Sequence, residues 1–119
     1  MSEFTFLFRG RDRCASPAQM QKTMRNWVAW FTELSANGHI RDGGHPLADS
    51  GMVVGGKQKA VHAGAYAKAG DAVGGYMLIE ARDLAHAVEI SKGCPILENG
   101  GSVEVRPVEQ LKMQAEAGC

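Results

Sequence analysis

Val73-Gly-Gly-Tyr-Met-Leu-Ile-Glu80, Asp83-Leu-Ala-His-Ala-Val-Glu-Ile-Ser-Lys92, Gly93-Cys94-Pro95 and Ser102-Val-Glu-Val-Arg-Pro-Val108 decide the fold. The first run is built of strand formers, and the second opens on an aspartate able to accept from orphan helix amides. Glycine and proline stop that helix, and the last run alternates like a second strand. A strand, a crossover helix and a returning strand bury one helix face against a sheet, and the remaining chain supplies the partners this unit needs. Side chains alternate along a strand, so Tyr76 and Leu78 take one face of the sheet while Met77 and Ile79 take the other. Both faces are then apolar. Helices cover only one of them, which leads us to expect a second copy of the chain on the other. The second helix is expected to turn Leu84, Ala87 and Val88 inward and His86 outward.

Outward from this unit, residues 3–9 alternate, with Phe4, Phe6 and Phe8 committing one side of a strand to a core. Residues 10–15 have no periodicity and read as a loop. Ser16-Pro17-Ala18-Gln19 carries the chemistry of a helix start: a hydroxyl to accept an orphan amide, a proline where no amide is needed, and a glutamine able to reach back. Met20, Met24, Trp27, Phe31 and Leu34 follow at steps of three and four, widened by Val28 and Trp30, and Asn37-Gly38 ends the helix. Residues 39–46 are a short extended piece running into a loop. Met52-Val-Val54 and Lys59-Ala-Val-His62 predict a hairpin turning near Gly55-Gly56, and residues 63–72 read as a loop. The order is strand, helix, strand, hairpin, strand, helix, strand: an α+β, ferredoxin-like split β-α-β sheet with an extra hairpin.

A chain of 119 residues fits one domain, expected over residues 1–110 with a tail at 111–119. Thirteen Lys plus Arg balance thirteen Asp plus Glu, so no global field draws in nucleic acid or anionic lipid. The N-terminus lacks a signal-peptide pattern and no run approaches the ~20 apolar residues of a membrane span, so a cytoplasmic protein is expected. Cys14, Cys94 and Cys119 are odd in number and widely spaced, neither a disulfide framework nor a zinc pattern. Cys94 before Pro95 reads as a small buried filler.

Strand Gly74-Gly75-Tyr76-Met-Leu-Ile79, the Asp83-Leu84 cap with its alanine-rich helix, Cys94-Pro95 and Gly100-Gly101-Ser-Val-Glu-Val-Arg-Pro107 together resemble the YCII-related family, in particular its DGPF-domain branch. The opening strand, the helix with Trp27 and Phe31, and the Gly43-Gly44 loop extend the resemblance across nearly all of residues 3–109. It implies a dimeric α+β barrel in which two subunits close sheet against sheet over a pocket. The wider dimeric-barrel group includes lactone isomerases and small monooxygenases. The branch's Asp-Gly-Pro-Phe motif falls on Ala63-Gly64-Ala65-Tyr66 and keeps only the glycine, so an acid-base role for its aspartate does not carry over to Ala63.

Three residues around this altered motif are candidates for proton transfer. His62 is the base, since imidazole shuttles protons near neutral pH; Tyr66 is a hydrogen-bond donor, and Asp71 is a carboxylate able to orient the ring. Arg41, His45 and Trp27 are candidate substrate contacts, Arg41 because a guanidinium holds a carboxylate through two parallel bonds. His39, Asp42, His45 and Asp49 recur at ligand-like steps, but Gly43-Gly44 and Pro46 exclude the helix that would gather them, so no metal is expected. The paired glycines form neither GxGxxG nor a P-loop, so no nucleotide cofactor is expected either. The expected function is binding of a small organic molecule in a homodimer, with isomerase-type or lyase-type proton transfer or, alternatively, a non-catalytic binding or interaction module.

Overall fold

The computed structural model describes residues 1–10, 15–64 and 72–110. Strand β1 (Ser2–Arg9) is followed by helix α1 (Pro17–Ala36), β2 (Ile40–Asp42), β3 (Met52–Gly55), β4 (Ala60–Ala63), β5 (Val73–Ala81), helix α2 (Leu84–Ser91), a 3-10 turn (Pro95–Asn99) and β6 (Ser102–Pro107). Four strands form one antiparallel sheet in the order β2-β5-β1-β6, and β3 and β4 form a separate hairpin. β1 and β2 therefore run parallel with β5 between them, and β5 and β6 run parallel with β1 between them. That is the doubled split β-α-β of a ferredoxin-like α+β fold.

Register explains the core. Phe4 pairs with Ile79, Phe6 with Met77 and Val105, and Phe8 with Gly75 and Val103, so one face of the sheet is apolar from edge to edge. Helix α1 lays Trp30 and Leu34 on that face. The Phe6 and Trp30 rings stack at 6.3 Å and 14°, and Trp27 meets Phe8 edge-on at 5.2 Å and 89°. The start of α1 has both halves of a capping box: Gln19 N–H donates to Ser16 Oγ (3.2 Å), and Ser16 N–H donates to Gln19 Oε1 (2.9 Å). Two orphan amides are satisfied at once.

The stripe on α1 is only half used. Trp30 and Leu34 are buried, but Met20, Met24 and Val28 stay exposed, Met24 at 64%. Side-chain spacing tells which side of a helix is apolar, not how far the sheet beneath it extends. Helix α2 also departs from expectation: Ala87 and Ser91 are buried, whereas Leu84 and Val88 remain 46% and 37% exposed. Small side chains allow the helix axis to approach the sheet closely, and Ser91 Oγ donates to Val88 O (2.6 Å), so its burial leaves no unpaired hydroxyl. His86, expected outside, is half-buried, its ring 5.2 Å from that of His39. Arg82 N–H donates to His86 Nδ1 (3.1 Å), and His39 Nδ1 donates to Glu80 O (3.1 Å). The neutral rings thus carry their protons on Nε2 of His86 and Nδ1 of His39.

Cys94 is buried, as its position beside Pro95 suggests, and desolvation pushes its thiol up to about 12 against a backbone hydrogen bond with Ile96 that pulls it down. Only the thiolate is a nucleophile. Cys94 is therefore expected to resist iodoacetamide at pH 8 in the folded protein and to react once urea unfolds it, as read by peptide mass mapping. Labelling at equal rates in both states would contradict its burial. Because its folded pKa lies above its unfolded one, Cys94 keeps its proton in the native state longer, and stability falls as the pH rises from the ordinary thiol value of 9.0 towards about 12.

Candidate functional site

The sheet face opposite the helices is covered by no described element of the chain. Alternation places Glu3, Thr5, Leu7 and Arg9 of β1, Tyr76, Leu78 and Glu80 of β5, and Glu104 and Arg106 of β6 on it. Its middle holds Thr5, Leu7, Tyr76 and Leu78, all half-buried. Its margins are ionic. Arg9 donates to Glu104 at 2.9 Å, with Arg106 at 3.9 Å from the same carboxylate, and Arg41 lies 3.7 Å from Glu3 and 4.0 Å from Glu80. The expectation that both faces are apolar thus holds for the centre of this face and not for its rim.

Arg41 stands on edge strand β2, where it is shared by two cross-strand glutamates that would otherwise repel each other. The chain then turns at Gly44, whose φ is +68°. A Cβ on Gly44 would lie 1.8 Å from the carbonyl oxygen of Tyr76, so only glycine lets the turn press so close to β5. Gly44 N–H donates to Asp42 Oδ1 (2.9 Å), Pro46 bridges to Gly75, and Leu47 N–H donates to Gly74 O (2.8 Å). The result is a fixed contact: the rings of His45 and Tyr76 lie 6.3 Å apart at 65°.

Of the residues predicted for the site, Arg41 and His45 come to the β2 margin of the uncovered face. Trp27 packs in the aromatic cluster on the opposite, helix-covered side. His62 lies on β4 of the separate hairpin, paired with Val53, and is exposed. Tyr66 and Asp71 lie outside the described residues, as do Cys14, Cys119 and the segment 111–119. His39, Asp42 and His45 have different partners: Glu80 O and the His86 ring, Gly44 N–H, and the Tyr76 ring. Sequence reasoning missed Tyr76, which it treated as one more strand residue. The signal was Gly74-Gly75 directly before it, since glycine inside a strand marks another backbone passing close. Here that backbone is His45 O, 3.3 Å from where a Cβ on Gly75 would stand.

An open groove of ≈ 560 Å³ lies elsewhere, between α1 and β2, lined by Phe31, Thr32, Ser35, Ala36 and Ile40. It has no ionisable side chain, and the Thr32 hydroxyl is already donated to Val28 O (2.8 Å). It offers a ligand little that is directional. No helix among the described residues is long and apolar enough to cross a membrane.

The architecture is that of a ferredoxin-like α+β domain with one sheet face covered and one open. Residues 5–112 match the model of the YCII-related domain, and the chain belongs to that family. No curated protein matches the chain. Among solved structures it is similar to 5-chloro-2-hydroxyhydroquinone dehydrochlorinase from Burkholderia phenoliruptrix AC1100, determined in complex with 2,5-dihydroxybenzoquinone. That likeness has 19% identity and a TM-score of 0.47, and it covers 92% of this chain and 93% of that one.

Proposed function

We propose that the protein works as a homodimer, two open sheet faces closing over a cavity that holds a small organic molecule, and that it moves a proton on that molecule. The observation that carries this reading is the open face itself: Leu7, Tyr76 and Leu78 at its centre, half-buried, inside a rim of paired charges. Apolar groups ringed by polar ones are the usual make-up of a buried interface or ligand pocket. In this reading Arg41 anchors a ligand anion at the margin. His62 is the base, with Tyr66 as donor and Asp71 as orienting carboxylate, and His45 is a further contact. Isomerisation or elimination is the reaction class, and the working compartment is the cytoplasm.

The test has two parts. Light scattering on the full chain is expected to give twice the mass of one copy, and a single-copy species at micromolar concentration would remove the shared cavity. Crystals soaked with small carboxylates and lactones are then expected to show density against the open face. With a substrate so identified, His62→Ala is expected to lower turnover by about 10² to 10⁴, the usual worth of a positioned general base, without changing the dimer. Unchanged turnover would take His62 out of the chemistry. The altered motif, in which Ala63 replaces the aspartate of the DGPF branch, supports a second reading: a non-catalytic binding module that captures the same ligand and returns it unchanged.

A further inference from the structure

We infer that Tyr76 and His45 form the polar end of this cavity and together bind the ionised oxygen of a small planar acid, a carboxylate or a phenolate. The inference rests on the reading of the open face as a ligand face.

The first argument is positional. An edge strand that only needed to end would not require a left-handed residue pressed against its neighbour's carbonyl. Yet the chain spends Gly44 at φ +68°, the Asp42 carboxylate on Gly44 N–H, and two further backbone contacts at Gly74 and Gly75 to hold this turn down. What the turn holds in place is the His45 ring against Tyr76. Preorganised groups of this kind are what a binding site needs, because the ordering cost has been met before the ligand arrives.

The second argument is chemical. A phenol and an imidazole both offer donors to an oxygen. The acids nearby are engaged: Glu104 lies between Arg9 and Arg106, Glu3 and Glu80 share Arg41, and Asp42 accepts from Gly44 N–H. A ligand anion therefore meets two unspent donors, whereas a ligand cation would find the carboxylates already bonded. Leu7 pairs directly with Tyr76 across the strands, and Leu78 lies two residues along the same face, so the rest of the ligand meets aliphatic surface suited to a flat ring.

The experiment compares sodium benzoate, benzyl alcohol and benzylamine, three probes of one shape and different charge, by ¹H–¹⁵N correlation spectra of the full chain. Benzoate is expected to bind saturably and to shift the Leu7, His45 and Tyr76 amides together, with benzyl alcohol weaker and benzylamine weakest. Tyr76→Phe and His45→Ala are each expected to weaken benzoate by roughly tenfold or more, the scale of one lost hydrogen bond to a charged group. Light scattering is run on the same samples. A dimer whose two variants bind benzoate as the parent does would overturn the inference and leave the dimeric reading standing. A single-copy protein that still loses benzoate in both variants would do the reverse. No saturable benzoate binding, benzylamine binding as tightly as benzoate, or shifts confined to the groove between Phe31 and Ile40 would each sink the pair as an anion site.

Discussion

Phe6→Ala is expected to destabilise the protein by about 3–5 kcal/mol, the range for deleting a buried phenyl ring. Phe6 is fully buried, with Met77 and Val105 beside it across the strands and Trp30 stacked on it. Phe8 meets it edge-on at 6.3 Å and 73°. These neighbours belong to four different elements, so none can collapse into the vacated volume without moving its own strand or helix. The cost should therefore include both the lost transfer free energy and a cavity. Domains of this size hold about 5–15 kcal/mol in all, so the variant should sit near the edge of folding. Urea titration at fixed protein concentration is the measurement. With a slope of about 1–3 kcal/mol per molar, the midpoint should fall by roughly 2 M at an unchanged slope. A loss below about 1 kcal/mol would mean that the core is not centred on this ring.

The parts of the fold that were readable from sequence are those where one local rule decides the outcome. Alternation in residues 3–9 placed Phe4, Phe6 and Phe8 on one face, and Ser16-Pro17 with Gln19 located the start of α1, because both depend on neighbours within four residues. The hairpin was placed from its glycines, although its turn occupies residues 56–59, with Lys59 in the left-handed region, rather than centring on Gly55-Gly56. What could not be read depends on how far partners extend in space. Met20, Met24 and Val28 extend the apolar stripe of α1 yet stay exposed, and α2 sits down on Ala87 and Ser91 although Leu84 and Val88 are greasier. A helix settles where its axis comes closest, and small side chains permit that better than large ones.

The candidate site was legible in a similar, partial way. Arg41 and His45 were chosen because a Gly-rich loop tolerates close approach, and the turn does press on β5. Tyr76 is hidden because its own residue type does not separate a tyrosine that fills a strand from one that a distant loop selects; only the Gly74-Gly75 pair before it marks the loop's approach. Trp27 shows how little residue type says about side: its size and amphipathic ring suggest a ligand contact, and its ring partners are Phe8, Trp30 and Phe31, on the far side of the sheet from Arg41. Residue type proposes a site, and topology decides which candidates share it.

Gly44→Ala should be the most disruptive single-methyl change among the residues of the open face. The new Cβ would lie 1.8 Å from Tyr76 O and 2.7 Å from the Tyr76 carbonyl carbon, both backbone atoms of a central strand that cannot swing aside as a flexible side chain could. An L residue at φ +68° adds about 1–2 kcal/mol of its own. The cheaper response is for the turn to lift off β5, which breaks the Pro46 bridge to Gly75 and the bond from Leu47 N–H to Gly74 O. We expect a loss of about 2–4 kcal/mol, the upper range for single substitutions, in urea titration. Fast hydrogen exchange at the Leu47 amide and loss of benzoate binding through displacement of His45 should accompany it. Gly43→Ala is the matched control, since Gly43 has nothing within 4 Å of its would-be Cβ and no positive φ. It should change stability by no more than about 0.5 kcal/mol. Equal effects at the two positions would show that loop entropy, not the contact with Tyr76, governs this turn, and His45 would then lose the support on which its role depends.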